Sequence, residues 1–445
     1  MKFYNKNFLI LFFVTLLSIF QLSRCGSGVC PMGAAGRTCS IGANGGPTCK
    51  ADIINRLNCA SGTTVGVLDT AFNSTGSQTY VYGATPSPTH NLATSADCKF
   101  LFPFLDGAAS QIKVLKLNAD SSLDTTFGTA GTLSMGASST YFFGIFNSNN
   151  DTLYALQQSP GSNYIIRKYL PSGSIDSTYG TAGTATISGA GYTACTGYAL
   201  DSLGQFYLLF DQKYIKRANA AGALDTTFGT AGTATTGLTT MAASYRVGLA
   251  LDSSQRIYVG GAGGTNMRIE RLTSTGQIDT TFATAGGNTR VITTGDGNSY
   301  IANVKLDCDG NVYVAGMNSQ NMGYSGGYFV VKYNENGIVD TTFGVNGQAN
   351  NFGASAGGRH VANPTGFFID RITRKLTLGS IASSFGNIAV ARLNADGSAD
   401  TTFGAGTGSI STTFYNNGLI HVLPNGKVMT YGSDNAITLF TSVYR

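Results

Sequence analysis

Few residues in this chain of 445 are suited to chemistry. There are three histidines, His90, His360 and His421, far apart in sequence, and two glutamates, Glu270 and Glu335. Arg359-His360 follows Gly357-Gly358 and is the best lone candidate for a polar site facing a central channel. Asp307-x-Asp309-Gly310-Asn311 sets oxygen ligands at alternate positions, as calcium loops do, but lacks the downstream bidentate glutamate. Its plainer reading is an Asp-Gly turn. Gly-Ser and Gly-x-Gly runs precede no helix, so they read as turns and not as phosphate loops. Spacing alone pairs no nucleophile with a base. No residue is assigned as catalytic, cofactor-binding or metal-ligating, and no cofactor is expected.

The cysteines stand at 25, 30, 39, 49, 59, 98, 195 and 308. There is no C-x-x-C pair and no histidine beside the early cluster, so zinc is disfavoured and disulfides are expected. Whether Cys98, Cys195 and Cys308 pair with that cluster is open. Asn73-Ser74-Thr75 and Asn150-Asp151-Thr152 are glycosylation acceptors if the source modifies exported chains.

Lys2 and Lys6 precede an uncharged stretch from Phe8 to Phe20, too short to span a bilayer. This is the outline of a secretory signal over 1–25, cleaved near Ser23-Arg24-Cys25-Gly26. Arg24 is wrong for lipidation of Cys25, where a small residue is expected. Removing residues 1–25 takes away three bases and no acid, and lowers the net charge from +5 to +2. Only 11% of residues are charged, and no basic patch remains for nucleic acid or a membrane surface. No other segment is apolar enough to cross a membrane.

The elements that must position these residues come from a repeat. Leu68-Asp69-Thr70-Ala71-Phe72 recurs as Leu123 to Phe127, Ile175 to Tyr179, Leu224 to Phe228, Ile278 to Phe282, Val339 to Phe343 and Ala399 to Phe403. The period is about 55 residues. A glycine precedes most of the aspartates by three, another follows most of the aromatics by four, and Thr407 replaces the last of these. A base stands eight before the aspartate in six copies: Lys116, Lys168, Arg217, Arg271, Lys332 and Arg392. The first glycine suits a turn of positive φ. The aspartate suits an Asx-turn and can face the base across the hairpin. The aromatic suits a wedge between neighbouring units.

Short strands fill the intervals, as in Leu306 to Gly316 and Ile388 to Arg392, and no helical period appears after about residue 60. Ala51 to Leu57 is expected to form one helical turn or two. Units of this length with about four strands are propeller blades. The expected fold is all-β: a β-propeller of seven blades of about four antiparallel strands over 63–445, after a Cys-rich segment at 26–62. The blade over 73–120 is degenerate. The half-unit of the first copy, its turn Thr63 to Asp69, is expected to dock beside the final blade and close the ring.

The Gly-x-[Leu/Ile/Val]-Asp-Thr-Thr-Phe-Gly pattern, with segments such as Leu306 to Gly316, resembles the delta-60 repeat family of β-propeller proteins over about 85% of the chain. The resemblance implies an exported or surface propeller and carries no catalytic residue over. The expected function is a monomeric binding or structural module, secreted or held in the cell envelope, with a protein or glycan partner at the cell surface. One alternative is a saccharide-binding propeller that uses Tyr192, Tyr198, Tyr245, Tyr300 and Tyr324 as stacking faces. Another is a metal-dependent lactonase, lyase or hydrolase with its site at the channel mouth.

Overall fold

The computed structural model describes residues 77–444 except 82–86, 89–92, 96–98, 107–110, 119, 121, 138–140, 148–150, 160–161, 240–247, 264–265, 291–297, 320–327, 351–365, 371–372, 383–386, 414–415, 423–427 and 434–437. The signal and Cys-rich segments, the first motif copy, Cys98, His90, Arg359-His360, Asn73, Asn150, Tyr245 and Tyr324 lie outside the described residues.

Every described element is a strand. After β1 (Ser77–Val81), a first sheet comprises β2 (Ser87–Pro88), β3 (Ala93–Thr94), β4 (Phe100–Asp106), β5 (Gln111–Leu117) and β6 (Thr132–Ala137). The second holds β7 (Tyr141–Asn147), β8 (Leu153–Ser159), β9 (Asn163–Tyr169) and β10 (Thr184–Ser188). The third holds β11 (Cys195–Leu200), β12 (Phe206–Phe210), β13 (Tyr214–Ala218) and β14 (Thr233–Thr235). The fourth holds β15 (Leu249–Leu251), β16 (Ile257–Gly263), β17 (Asn266–Leu272) and β18 (Gly287–Arg290). The fifth holds β19 (Asn298–Leu306), β20 (Val312–Ser319), β21 (Tyr328–Tyr333) and β22 (Gln348–Asn350). The sixth holds β23 (Gly366–Ile369), β24 (Leu376–Ala382), β25 (Asn387–Leu393) and β26 (Ser409–Thr413).

These six sheets are each continuous in sequence and antiparallel. A further sheet is composite. β27 (Asn416–Val422), β28 (Val428–Ser433) and β29 (Thr438–Tyr444) take β1 as their outer strand, with Ser77 opposite Ser442 and Val81 opposite Thr438. The strand after the first motif therefore completes the last sheet, while the half-unit Thr63 to Asp69 expected there lies outside the described residues. The architecture is a β-propeller.

The first strands of successive sheets touch one another: β11 with β15, β15 with β19, β19 with β23, β23 with β27, β27 with β2, and β3 with β7. They ring the axis, and the fourth strands lie outermost. The cores sit between sheets. Leu208 and Phe210 of the third sheet pack with Ile166 of the second. Leu209 and Ile215 of the same sheet pack with Leu251 and Val259 of the fourth. A strand of the third sheet thus buries alternate residues on two different neighbours, and β12 is buried at all five positions.

The repeat motif lies between the third and fourth strands of its sheet and clasps the next sheet. Gly128 N donates to Ser172 O at 2.7 Å, Gly180 N to Ala221 O at 2.8 Å, Gly229 N to Thr275 O at 2.8 Å, Ala283 N to Asn336 O at 2.7 Å and Gly344 N to Asp396 O at 2.7 Å. Each acceptor immediately precedes the turn glycine of the next motif. The aromatic of one motif lies against that glycine. A Cβ on Gly276 would sit 2.7 Å from Ala234 Cβ and 3.0 Å from the Phe228 ring. On Gly337 it would meet three atoms of the Phe282 ring within 2.9 Å. The aromatic is therefore the expected wedge, and the glycine is the slot that receives it.

One detail differs from the expected register. Thr407 does not stand in for the second glycine. Gly408, at φ 73°, takes that place and accepts Arg392 N at 2.9 Å, as Gly286 accepts Arg271 N at 3.0 Å. The last copy carries one extra residue between aromatic and glycine, and Thr407 Oγ1 ties the insertion by donating to Gly404 O at 2.6 Å.

Gly276→Ala should destabilise the fold by about 2–3 kcal/mol, because overpacking adds to a backbone of φ 84° that a methyl strains. Urea unfolding followed by circular dichroism measures this. Ala220→Ser, at an exposed turn position of the third sheet, should change stability by less than about 0.5 kcal/mol.

Candidate functional site

The residues with the look of a catalytic constellation stand together, and they do so in sheet after sheet. Asp225 Oδ1 accepts Thr227 N at 3.0 Å and Thr227 Oγ1 at 2.6 Å, the expected Asx-turn. Its Oδ2 accepts Arg217 Nη2 at 2.6 Å. The expected base faces the aspartate in all six copies: Lys116–Asp124, Lys168–Asp176, Arg217–Asp225, Arg271–Asp279, Lys332–Asp340 and Arg392–Asp400. The motif aromatic lies under the base, 4.5 Å from ring centre to guanidinium carbon for Phe228 and Arg217.

Behind the pairs of the third, fourth and fifth sheets stands a buried hairpin aspartate with a tyrosine. Tyr258 Oη donates to Asp252 Oδ2 at 3.2 Å, and Tyr313 Oη to Asp307 Oδ2 at 3.2 Å. Burial raises the carboxyl pKa of Asp201 and Asp307 against the hydrogen bonds of their own turns. Burial also pushes the Tyr207 and Tyr258 phenols up to about 12. Burial raises Asp279 too, but the hydrogen bonds from Thr281 and Arg271 outweigh it and hold its pKa below the usual value. Shifted carboxyls and phenols often mark a reactive site. Here the same set recurs in the third, fourth and fifth sheets, and every member is engaged within its own turn. The recurrence identifies scaffold.

Arginine copies do more than lysine copies. Arg271 Nη1 donates to Glu335 O at 3.0 Å, and Arg217 Nη1 to Ser274 O at 2.8 Å, so each reaches the next sheet's turn. Lys168 and Lys332 pair with their aspartates at 2.9 Å through one ammonium group.

The calcium-like loop holds a different arrangement. Asp307 Oδ1 accepts Asp309 N and Asn311 N, both at 2.9 Å, and its Oδ2 accepts Asn311 Nδ2 at 2.8 Å. Asp309 pairs with Arg374 of the next sheet. The loop is an Asx-turn joined to a neighbour, the plainer of its two readings. Among the described residues no three His, Cys, Asp or Glu side chains converge. Cys195 is buried on β11, and its Sγ donates to Gly197 O at 3.3 Å.

Of the tyrosines suggested as stacking faces, Tyr192 lies 4.9 Å from Phe210 in a stack, with Lys216 Nζ 5.1 Å from its ring centre. Tyr198 is partly buried against the same core. Tyr300 lies on β19.

The histidine that the described residues contain is His421 on the innermost strand β27. It is half-buried, its Nε2 lies 2.7 Å from Thr94 Oγ1 on β3, and its ring meets Phe368 of β23 edge to face at 5.4 Å. Burial, helped by the charge of Lys305, pushes its imidazole down to about 4. This group spans the sixth, composite and first sheets. Sequence reasoning set a strand near Leu419–Val422 but gave His421 no partner there, because its hairpin, Pro424-Asn425-Gly426, lacks the aspartate that marks the register elsewhere.

A family model described as a domain of unknown function (DUF5122) beta-propeller matches residues 104–127 and 375–403. Each match covers a strand and the stretch leading into the motif aspartate and aromatic. The chain matches no curated protein. Solved structures similar to it include the C-terminal WD40 domain of Sif2, at 10% identity over 80% of this chain and 81% of that one, with a TM-score of 0.43. The Myceliophteria thermophila Cps50 (Swd1) beta-propeller domain is 9% identical over 82% and 98%, with a TM-score of 0.48. The PQQ-bound aldose sugar dehydrogenase of Streptomyces coelicolor is 13% identical over 82% and 98%, with a TM-score of 0.36.

Arg271→Met should cost about 3 kcal/mol, because it leaves the Asp279 carboxylate buried without its cation. Arg271→Lys should cost about 1 kcal/mol, the net worth of the lost bond to Glu335 O. Chemical unfolding separates the two. Acid should act in two windows. His421 has a depressed pKa when folded, so its share of stability is full above pH 6.5 and is lost as pH falls through about 4. Asp124, Asp176 and Asp400 are held at about 2. Their share is full above pH 3.8 and is lost as pH falls towards 2. Melting temperature against pH should show both slopes, and His421→Gln should remove the upper one alone.

Proposed function

We propose that the chain is an exported, monomeric propeller of seven blades, with the composite sheet as the seventh, that works as a binding or interaction module and not as an enzyme. The observation that carries this reading is the fate of the reactive side chains. The repeated Asp, Lys or Arg, Tyr and Thr groups hold turns and clasp neighbouring sheets, as in Arg271 with Asp279, Thr281 and Glu335 O. What remains for function is the loops and the axial strands, which a rigid ring presents.

Several further observations support the reading. Cys308 is disulfide-bonded, which suits an oxidising compartment. Leu203, Ile338 and Val345 are exposed on the motif side of the sheets, where apolar surface can meet a protein partner. No helix among the described residues is long and apolar enough to cross a membrane. The chain's own β1 completes the ring, so no second copy is needed to close it. The saccharide alternative loses Tyr192 as an open stacking face, because Phe210 and Lys216 already lie against its ring.

The test uses residues 26–445, purified and assayed against panels of extracellular proteins and glycans, with substrate consumption followed in parallel. Saturable binding without consumption is expected. Turnover that one substitution abolishes would overturn the reading. Blocking of free thiols before and after reduction should label Cys308 only after reduction.

A further inference from the structure

One turn on the motif side departs from its counterparts. Val345, 73% exposed, and Ile338, 54% exposed, share the motif turn of the fifth sheet. The position of Val345, five after the motif aspartate, holds Thr129, Thr181, Thr230, Thr284 and Ala405 in the other described copies. That of Ile338, two before it, holds Ser122, Ser174, Ala223, Gln277 and Ser398. The first copy, outside the described residues, has Val67 and Ser74 at these places. Small or polar residues therefore suffice for the turn itself. Glu335 of the same turn is exposed, and its carboxylate enters no ion pair among the described residues. Beside it runs the hairpin that carries Cys308, since a Cβ on Gly310 would sit 3.3 Å from Glu335 Cβ. Cys308 is buried and disulfide-bonded. An apolar pair, a carboxylate and a cross-linked cysteine thus stand in one sector of one sheet.

We infer that the chain's own Cys-rich segment, residues 26–62, docks on this sector and is held there by a disulfide between Cys308 and one of Cys30, Cys39, Cys49 and Cys59. The inference goes beyond the binding-module reading: it assigns Ile338 and Val345 to the chain itself and leaves Leu203 of the third sheet to an outside partner. The cysteines point to this occupant. Cys195 is buried between the second and third sheets. Lys99, next to Cys98 in sequence, pairs with Asp124 of the first sheet, three sheets round the ring from the fifth. Bonded cysteines need Cα atoms within about 7 Å, which leaves those of the early cluster. The topology agrees. Third strands end where the motif turns begin, and β1 starts beside the end of β29, with Ser77 opposite Ser442. The chain before Ser77 therefore joins the ring on the motif side, two sheets from Cys308. The 18 residues from Cys59 to Ser77 can span about 60 Å, which is ample. The chemistry matches as well. Ile53, Ile54 and Leu57 form an apolar cluster between Cys49 and Cys59, with Lys50 and Arg56 beside it. The cluster suits Ile338 and Val345, and either base suits the Glu335 carboxylate. Closing the bond takes two electrons and two protons from the two thiols, which pass by exchange to a small-molecule or protein disulfide.

Residues 26–445, folded under oxidising conditions, are alkylated, digested without reduction and mapped by mass spectrometry. The peptide that holds Cys308 should be joined to one from 26–62. Docking is read separately, from the rate at which trypsin cuts after Lys50 and Arg56 with the disulfide intact. Ile338→Ser with Val345→Thr installs residues that other sheets carry, so the ring should keep its melting temperature. The cuts should then be about fivefold faster or more, because proteolysis follows the undocked population. Glu335→Gln should speed them by about twofold, the worth of an exposed ion pair. Any of three results overturns the proposal: Cys308 joined to Cys98, Cys308 recovered as a thiol, or cuts in either variant as slow as in the parent chain. None of these bears on the binding-module reading, which is judged by partner binding and turnover.

Discussion

The ring depends on the contact between the aromatic of one motif and the turn glycine of the next. It is a close-packed contact with no room for a Cβ, and it comes with a backbone hydrogen bond from the residue after the aromatic. A propeller sheet has two apolar faces and cannot be stable alone, because its burial comes from neighbours. Side chains between sheets supply most of that burial but little angular precision. The clasp supplies a fixed distance at one end of each seam, and it repeats from the first sheet to the sixth. The same sequence position can then build five successive seams, which explains why Gly-x-x-Asp-Thr-Thr-Phe recurs while the strands between copies diverge.

The charges follow from the clasp. The motif turn must hold the aromatic at a set height, and its shape is fixed by the aspartate accepting from the residue two ahead. That leaves the second carboxylate oxygen facing inward, where burial is costly without a cation. The base eight residues earlier meets that need, and the aromatic beneath takes the other side of the base. The four parts therefore depend on one another. Arginine extends the unit, since its spare N–H groups reach the next turn. A side chain shared this way is held in place by two turns at once.

Much of this was legible in the sequence because it is local. The Asx-turn, the base facing the aspartate and the aromatic wedge all lie within about a dozen residues, and periodicity fixes them in register. The completion of the last sheet by β1 was legible too, since strands after the last motif and a turn before the first are complementary remainders. Two features were not. Gly408 replaces the absent glycine through a one-residue insertion, which a fixed-offset reading scores as Thr407. The axial group of Thr94, Phe368 and His421 is drawn from residues up to 327 apart, and only ring closure joins them. Lys305 and Phe368 each precede a hairpin aspartate by two, so aligning the hairpins would have matched them with Ala199 and Ala250. His421 has no such marker.

The contrast between the two kinds of position separates scaffold from function in this fold. Where a polar constellation recurs in sheet after sheet, its cause must be something that every sheet shares, and that is the need to join a neighbour. The axial position opposite the second strand varies instead: Phe146, Ala199, Ala250, Lys305, Phe368 and His421 stand there in successive sheets, so no need shared by every seam fixes it.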